Sequence, residues 1–421
     1  MDSGESEFKL IKAAWLIDGN GGPPLERGAI LLEGDKIKDV GSEEAVVPPE
    51  GARTQEFVYN EQTVLPGLVD CHVHLIGFGD GRFGDELHTL PDEVLTLQAA
   101  SNARAHLYSG VTTVRDCGAK NRTTFMLREA VEMGITKAPR LLLSGRPVAI
   151  VGGHLSYFGV EATGVDECRA AVRQLVKEGA DFIKITATGG STRTSVPMRP
   201  SFNPDELTAI CEEAHKFGKH AAAHCVSSQG IINAVEAGID TVIHGYHRNE
   251  DGAYEYRPEI TESIVDRGVY VNPTLGQAQI RMEALESKLE SKSLSESEQA
   301  ELEFQRASHE DRLDCVARML ADGVRIACGS DSAWSSYPMG DFQTEIEAQV
   351  GAGMSPMEAI VAATRDSARS CWADDQVGTL AEGKQADVLV VKGNPSKNIS
   401  ALRNVVDVFQ AGARVDRNDL L

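Results

Sequence analysis

The stretch LVDCHVHL (68–75) reads as a β-strand, and the rhythm of the segments after it decides the fold. Seven more apolar, β-rich runs come after it: VTTVRDCG (111–118), RLLLSGRP (140–147), FIKITATG (182–189), KHAAAHC (219–225), TVIHGY (241–246), YVNPTL (270–275) and RIACGSDS (325–332). Helix-like amphipathic segments alternate with them, at 92–109, 124–134, 165–179, 204–217, 227–237, 260–267, 341–352 and 355–366. Strands buried on both faces and separated by helices pair in parallel, and eight such units close into a (β/α)8 TIM barrel. The expected class is α/β.

Outward from this core the texture changes. FKLIKAAWLIDG (8–19) and GAILLEGDKIKDVG (28–41) alternate apolar and polar residues between glycine turns, and strand texture returns in QADVLVVKG (385–393) and NVVDVFQAGARV (404–415). Neither end of the chain alone carries enough apolar surface for a core. Residues 1–65 and 370–421 are therefore expected to share one small β-sandwich domain beside a barrel over 66–369. The charged stretch 280–314 interrupts the barrel pattern. Met282, Leu285 and Leu289 fall at helical spacing, and Ser295 with Glu298 makes a capping box that starts a second helix. A solvated helical hairpin is the simplest reading, with covering the active-site mouth or joining subunits as alternatives.

Composition limits the partners. The 421 residues carry 41 Lys+Arg against 63 Asp+Glu, a net charge of −22, which repels phosphate backbones and anionic headgroups. Nucleic acid and membrane surfaces are not expected partners. The opening MDSGESEFKL has neither the basic start nor the apolar stretch of a secretory signal, and no run of about 18 apolar residues occurs, so a cytoplasmic location is expected. Eight scattered cysteines, with no CxxC pair, suit reduced core thiols.

His72 and His74 stand two apart on the first barrel strand, so they point to one side and can grip one cation. The remaining polar groups each fall at the C-terminal end of a different strand, where a barrel builds its active site. In DFIKITATGG, alternation puts Lys184 with Phe182 and Thr186, opposite Ile183 and Ile185. If the isoleucines meet the helices, the lysine points into the barrel. A buried ammonium there loses its proton, pairs with a carboxylate such as Asp331, or becomes a carbamate by reaction with carbon dioxide, which would bridge two cations. His224, on the same face as His220, and His244 end the fifth and sixth strands, and Asp331 in ACGSDS supplies a carboxylate at the eighth. His72, His74, Lys184, His224, His244 and Asp331 together compose two metal sites sharing a bridge.

These motifs resemble the amidohydrolase superfamily. VLPGLVDCHVHL (64–75), the strand-four lysine, the strand-five and strand-six histidines and the GSD at strand eight match in order and spacing, and GTLAEGKQADVLVVKGNP (378–395) extends the likeness to the chain's end. GGHLS (152–156), IKITATGGS (183–191) and HGYH (244–247) point to the imidazolonepropionase-like branch, which holds metal-dependent prolidases, Xaa-Arg/Lys carboxypeptidases and ochratoxin-type amidases. The resemblance implies one metal on His72, His74 and Asp331, a second on His224 and His244, and carboxylated Lys184 between them. Zinc is expected from the nitrogen-rich ligands. It further implies a homo-oligomer acting on a small molecule, with Xaa-Pro dipeptides the first choice. Dipeptides ending in Arg or Lys, ochratoxin-type amides and cyclic amides such as imidazolonepropionate are the alternatives. A non-catalytic scaffold on the same barrel is a remote one, since such proteins usually lose ligands. Asp331 is the expected proton acceptor and donor. His154 and Tyr246 are expected to hydrogen-bond the oxyanion or the substrate's carboxylate. Among Arg193, Arg199 and Arg248, Arg193 is the first choice to bind that carboxylate.

Overall fold

Eight parallel strands form where the apolar runs predict them, in a computed structural model that describes residues 8–82, 84–291 and 293–418. The start of the acidic opening segment, residues 1–7, lies outside the described residues. The described residues begin with β1 (Phe8–Leu16), β2 (Leu25–Glu33), β3 (Lys36–Ser42) and β4 (Thr54–Pro66). The barrel comes next with β5 (Leu68–Val73), β6 (Val111–Asp116) and β7 (Arg140–Leu143), then two-residue strands β8 (Val148–Ala149) and β9 (Val160–Glu161) in the next loop. It continues through β10 (Ile183–Thr186), β11 (Ala221–Cys225), β12 (Thr241–His244), β13 (Tyr270–Asn272) and β14 (Arg325–Ile326). Backbone bonds close both seams of the ring. Asp181 N–H donates to the Leu143 carbonyl at 2.8 Å, Cys71 N–H to Cys328 at 3.1 Å and Asp331 N–H to His72 at 2.7 Å.

The strand alternation sorts the two faces. Ile183 and Ile185 join Val172, Leu175 and Leu207 in the main core between barrel and helices, while Phe182 meets Cys117, Ala222 and Ile243 in a separate cluster. The helices start and stop where their termini are satisfied. Asn203 and Glu206 form a reciprocal capping box before helix Pro204–Lys216, and Gly179, at φ 103°, supplies the left-handed turn that ends helix Val165–Glu178.

After the barrel come β15 (Val388–Lys392), β16 (Val405–Gln410) and β17 (Ala413–Arg414). They join the opening strands in one seven-stranded sheet because β4 runs parallel to β1 and antiparallel to β15. Ile11, Ile30, Leu32, Val64, Val388 and Phe409 fill the core of this terminal β-sandwich. The charged stretch forms helices Gly276–Ser291 and Glu296–Ala321, the second capped by Ser295 and Glu298. Leu285, Leu294 and Leu302, with Met282 against them, make a small core of its own, whereas Leu289 stays exposed. All eight cysteines are free and buried. Among the described residues, no helix is long and apolar enough to cross a membrane.

Candidate metal centre and active site

His72 and His74 lie buried at the C-terminal end of β5, and a backbone or amide oxygen fixes each ring. Asn272 Nδ2 donates to the Gly329 carbonyl at 2.9 Å, which turns its Oδ1 toward His72 Nδ1 at 3.1 Å. His74 Nδ1 lies 3.1 Å from the Gly118 carbonyl. A carbonyl oxygen only accepts, so Nδ1 carries the proton in both rings and the Nε2 lone pairs face the barrel axis. There they meet Asp331 Oδ1, at 3.4 Å from His72 and 3.3 Å from His74. Ligand atoms of these three residues all lie within 4.8 Å of one another.

A second pair stands beside them. His224 Nε2 donates to the Gly189 carbonyl at 3.0 Å, leaving the Nδ1 lone pair 2.9 Å from His244 Nε2, while His244 Nδ1 meets Thr274 Oγ1 at 2.7 Å. Burial lowers the pKa of His72, His224 and His244 well below the imidazole range, and neighbouring cationic and imidazole groups add to it. Neutral imidazoles are the form that binds metal. His244 departs from the register of its strand. Its neighbour Ile243 pairs with His224 and shares that residue's face, so plain alternation would turn His244 outward. A φ of 69° at His244 breaks the alternation and brings the ring inside; Asp331 has a similar φ of 61°. Left-handed backbone costs a non-glycine residue about 1–3 kcal/mol, and it gathers at functional sites.

Lys184 completes the group from β10. It is 1% exposed, its Nζ lies 3.5 Å from His72 Nε2, and among the described residues it makes no ion pair. The expected alternative of a Lys184–Asp331 pair is not formed. Burial lowers the pKa of its amine. Four imidazoles with directed lone pairs, a carboxylate and an uncompensated amine fit divalent cations, because such a donor set left to itself has too few protons and no counter-charge. Below it, buried Asp70 accepts from His72 N–H, Ser330 N–H and His106 Nε2, tying β5 to the loop that carries Asp331.

The six residues adjoin a cavity of about 690 Å³, which five of them line directly. His154 and Tyr246 line it too. His154 is held through Nδ1 by Thr192 Oγ1 at 3.1 Å, its ring centroid 4.5 Å from that of His224. Gly190 makes room for it: a Cβ there would lie 2.6 Å from His154 Nε2. Tyr246 is buried with its hydroxyl donating to the Pro273 carbonyl. The structure does not bring Arg193 to the cavity; its side chain is 84% exposed and lies 3.5 Å from Asp85. Arg248 does line it, yet its guanidinium is bound to Asp311, Ser308 and the Gly252 carbonyl. His220 sits apart, stacked on Phe182 and bonded to Arg115.

Several site residues carry no clear mark in the sequence. Asn272 is the one amide in YVNPTL, at a strand end, and strand-end polarity is the signal that could have found it. Trp334, whose ring centroid is 4.8 Å from that of His74, lies in a loop with no regular period. Phe304, Ser308 and Arg312 reach the cavity from helix Glu296–Ala321, so the hairpin lines the mouth and is not merely a solvated appendage.

A parallel barrel with histidines, a lysine and an aspartate at its strand ends defines a hydrolase-type metal barrel. The chain matches the amidohydrolase family over residues 63–415 and belongs to it; it is a hydrolase acting on C–N bonds. Ochratoxinase from Aspergillus niger is 29% identical over 445 residues, covering 97% of this chain and 86% of that one. A solved Xaa-Pro dipeptidase with methionine bound in its active site is 29% identical, with a TM-score of 0.81 over 97% of this chain and 100% of that one. Imidazolonepropionase from Mesorhizobium japonicum is 22% identical over 92% of each chain.

Proposed function

We propose that this chain is a binuclear metal-dependent amidohydrolase that cleaves the amide bond of dipeptides or N-acyl amino acids, with Xaa-Pro dipeptides the first substrate class. The observation that carries the reading is the buried Lys184 amine, without an ion-pair partner among the described residues, amid four imidazoles and Asp331 beside a cavity of about 690 Å³. His72, His74 and Asp331 would hold one cation and His224 and His244 a second, with Lys184 carboxylated between them and zinc the expected metal. Divalent cations so held supply Lewis acidity, lowering the pKa of water toward about 7 and polarising an amide carbonyl.

The protein's own groups do the rest. Hydrolysis joins a water oxygen to the amide carbon and breaks the C–N bond, so a proton must travel from that water to the departing nitrogen. Asp331, whose Oδ1 faces both β5 histidines, takes the proton and delivers it. His154, engaged through Nδ1 by Thr192, offers Nε2 to the oxyanion, and Tyr246 shapes the adjoining wall. Apolar Leu155, Val196, Pro197, Met198 and Trp334 line the cavity and favour an apolar substrate side chain. Similarity to an Xaa-Pro dipeptidase with an amino acid in its active site supports the dipeptide class, and similarity to ochratoxinase keeps bulkier amides as the second reading. Eight buried free thiols fit a reducing cytoplasm, and a homo-oligomer is expected.

A panel of Xaa-Pro, Xaa-Leu and Xaa-Arg dipeptides with N-acetyl amino acids, scored by amine release, tests the reading. Release from at least one member, abolished by chelator and restored by zinc, is expected. No release from any member by zinc- and bicarbonate-loaded protein would refute it.

A further inference from the structure

We propose that Arg312, on the inserted helix Glu296–Ala321, is the receptor for a carboxylate on the amine half of the substrate, so that the hairpin is a specificity element of the site. This deepens the proposed function and rests on it. In a protein with 63 acidic against 41 basic side chains an arginine readily finds an acid, and two arginines near the cavity show this. Arg193 lies outside, beside Asp85, and Arg248 is bound by Asp311 at 3.0 Å. Arg312 differs. It lines the cavity and makes no ion pair among the described residues, and its Nε is buried without a hydrogen-bond partner.

Its position is also preset. The guanidinium carbon lies 4.5 Å from the centroid of the Tyr246 ring, and that ring is pinned through its hydroxyl to the Pro273 carbonyl and Thr274. Tyr246 in turn stands 6.1 Å, centroid to centroid, from His244. A guanidinium stacked on a fixed ring loses little freedom when an anion arrives, and its planar fork matches a carboxylate's two oxygens. A carboxylate two bonds from the scissile nitrogen would meet an otherwise uncompensated cation on the wall that His244 and Tyr246 begin. Amides without that carboxylate would leave it unpaired.

The test compares N-acetyl-proline with its carboxamide as substrates of the zinc-loaded protein. In Arg312→Met the ratio of kcat/KM for the acid over that for the carboxamide should fall about tenfold or more, chiefly through KM, as expected for losing a charged hydrogen-bonded pair. Arg312→Lys should recover part of the ratio, and Arg193→Met should leave it unchanged. An unchanged ratio in Arg312→Met, or a fall in Arg193→Met instead, overturns the assignment. Calorimetric titration with N-acetyl-proline provides a readout that does not need turnover. If the wild type hydrolyses neither compound, the functional reading is judged by the dipeptide panel alone, while binding of the acid that is lost in Arg312→Met and partly kept in Arg312→Lys still upholds the receptor. Binding that is equal in all three, or absent from the wild type, rejects it.

Discussion

Two regions meet at the cavity on opposite terms: the strand ends that carry the six donor groups, and the hairpin that carries Arg312. The strand ends are fixed by sheet pairing and by hydrogen bonds from the histidine rings to the oxygens of Asn272, Gly118 and Gly189, and between His244 and Thr274. The hairpin stands on a small core of Leu285, Leu294 and Leu302. One barrel can thereby keep its chemistry while its selectivity varies, because reactive groups sit on rigid elements and the wall facing the substrate hangs from an insertion.

The rigid side should respond most strongly to substitution. Lys184→Ala or Asp331→Asn should lower turnover about a thousandfold or more with the circular dichroism spectrum unchanged, in line with losing a proton carrier or a ligand. Full activity in either variant would remove the division of labour between strand ends and hairpin. A weaker response is expected from the groups that brace the ligands: Asn272→Ala releases His72 Nδ1 and should weaken zinc affinity about 10–100-fold in a competition titration. Unchanged affinity would mean that the ring needs no such brace.

The mildest response belongs to the joint between the regions. Glu345, fully buried on helix Phe342–Gly351, accepts from Gly276 N–H at 2.6 Å where the hairpin begins, and burial pushes its pKa from 4.5 up to about 8. Below about pH 4.5 folded and unfolded chains both hold this proton, so it contributes nothing. Between there and about pH 8 only the folded chain holds it, and stability falls as pH rises; above about 8 the loss is constant. Urea unfolding should therefore find Glu345→Gln gaining on the wild type between about pH 5 and pH 8. A difference that is flat across that range would show that the joint between barrel and hairpin is indifferent to pH.

The same contrast explains what could be read in the sequence. Burial on both faces made all eight barrel strands legible, and period-two alternation correctly turned Lys184 away from Ile183 and Ile185. The apolar runs overshoot the strands at their C-terminal ends: the run 325–332 is regular strand only over Arg325–Ile326. The chain must leave the extended conformation to present ligands, as the positive φ values of His244 and Asp331 record, and no period in the sequence encodes that turn. The hairpin's helices were legible from the Ser295–Glu298 cap. Their aim was not, because Arg312 lies in a stretch where charge is everywhere and only its lack of an ion-pair partner among the described residues distinguishes it.

Anomalous diffraction from crystals grown with zinc and bicarbonate would put the metal centre itself to the test. Two metal peaks are predicted, one among His72, His74 and Asp331 and one between His224 and His244, with carboxylate density extending from Lys184 Nζ between them. A bare amine at Lys184 with no metal beside it would contradict that prediction.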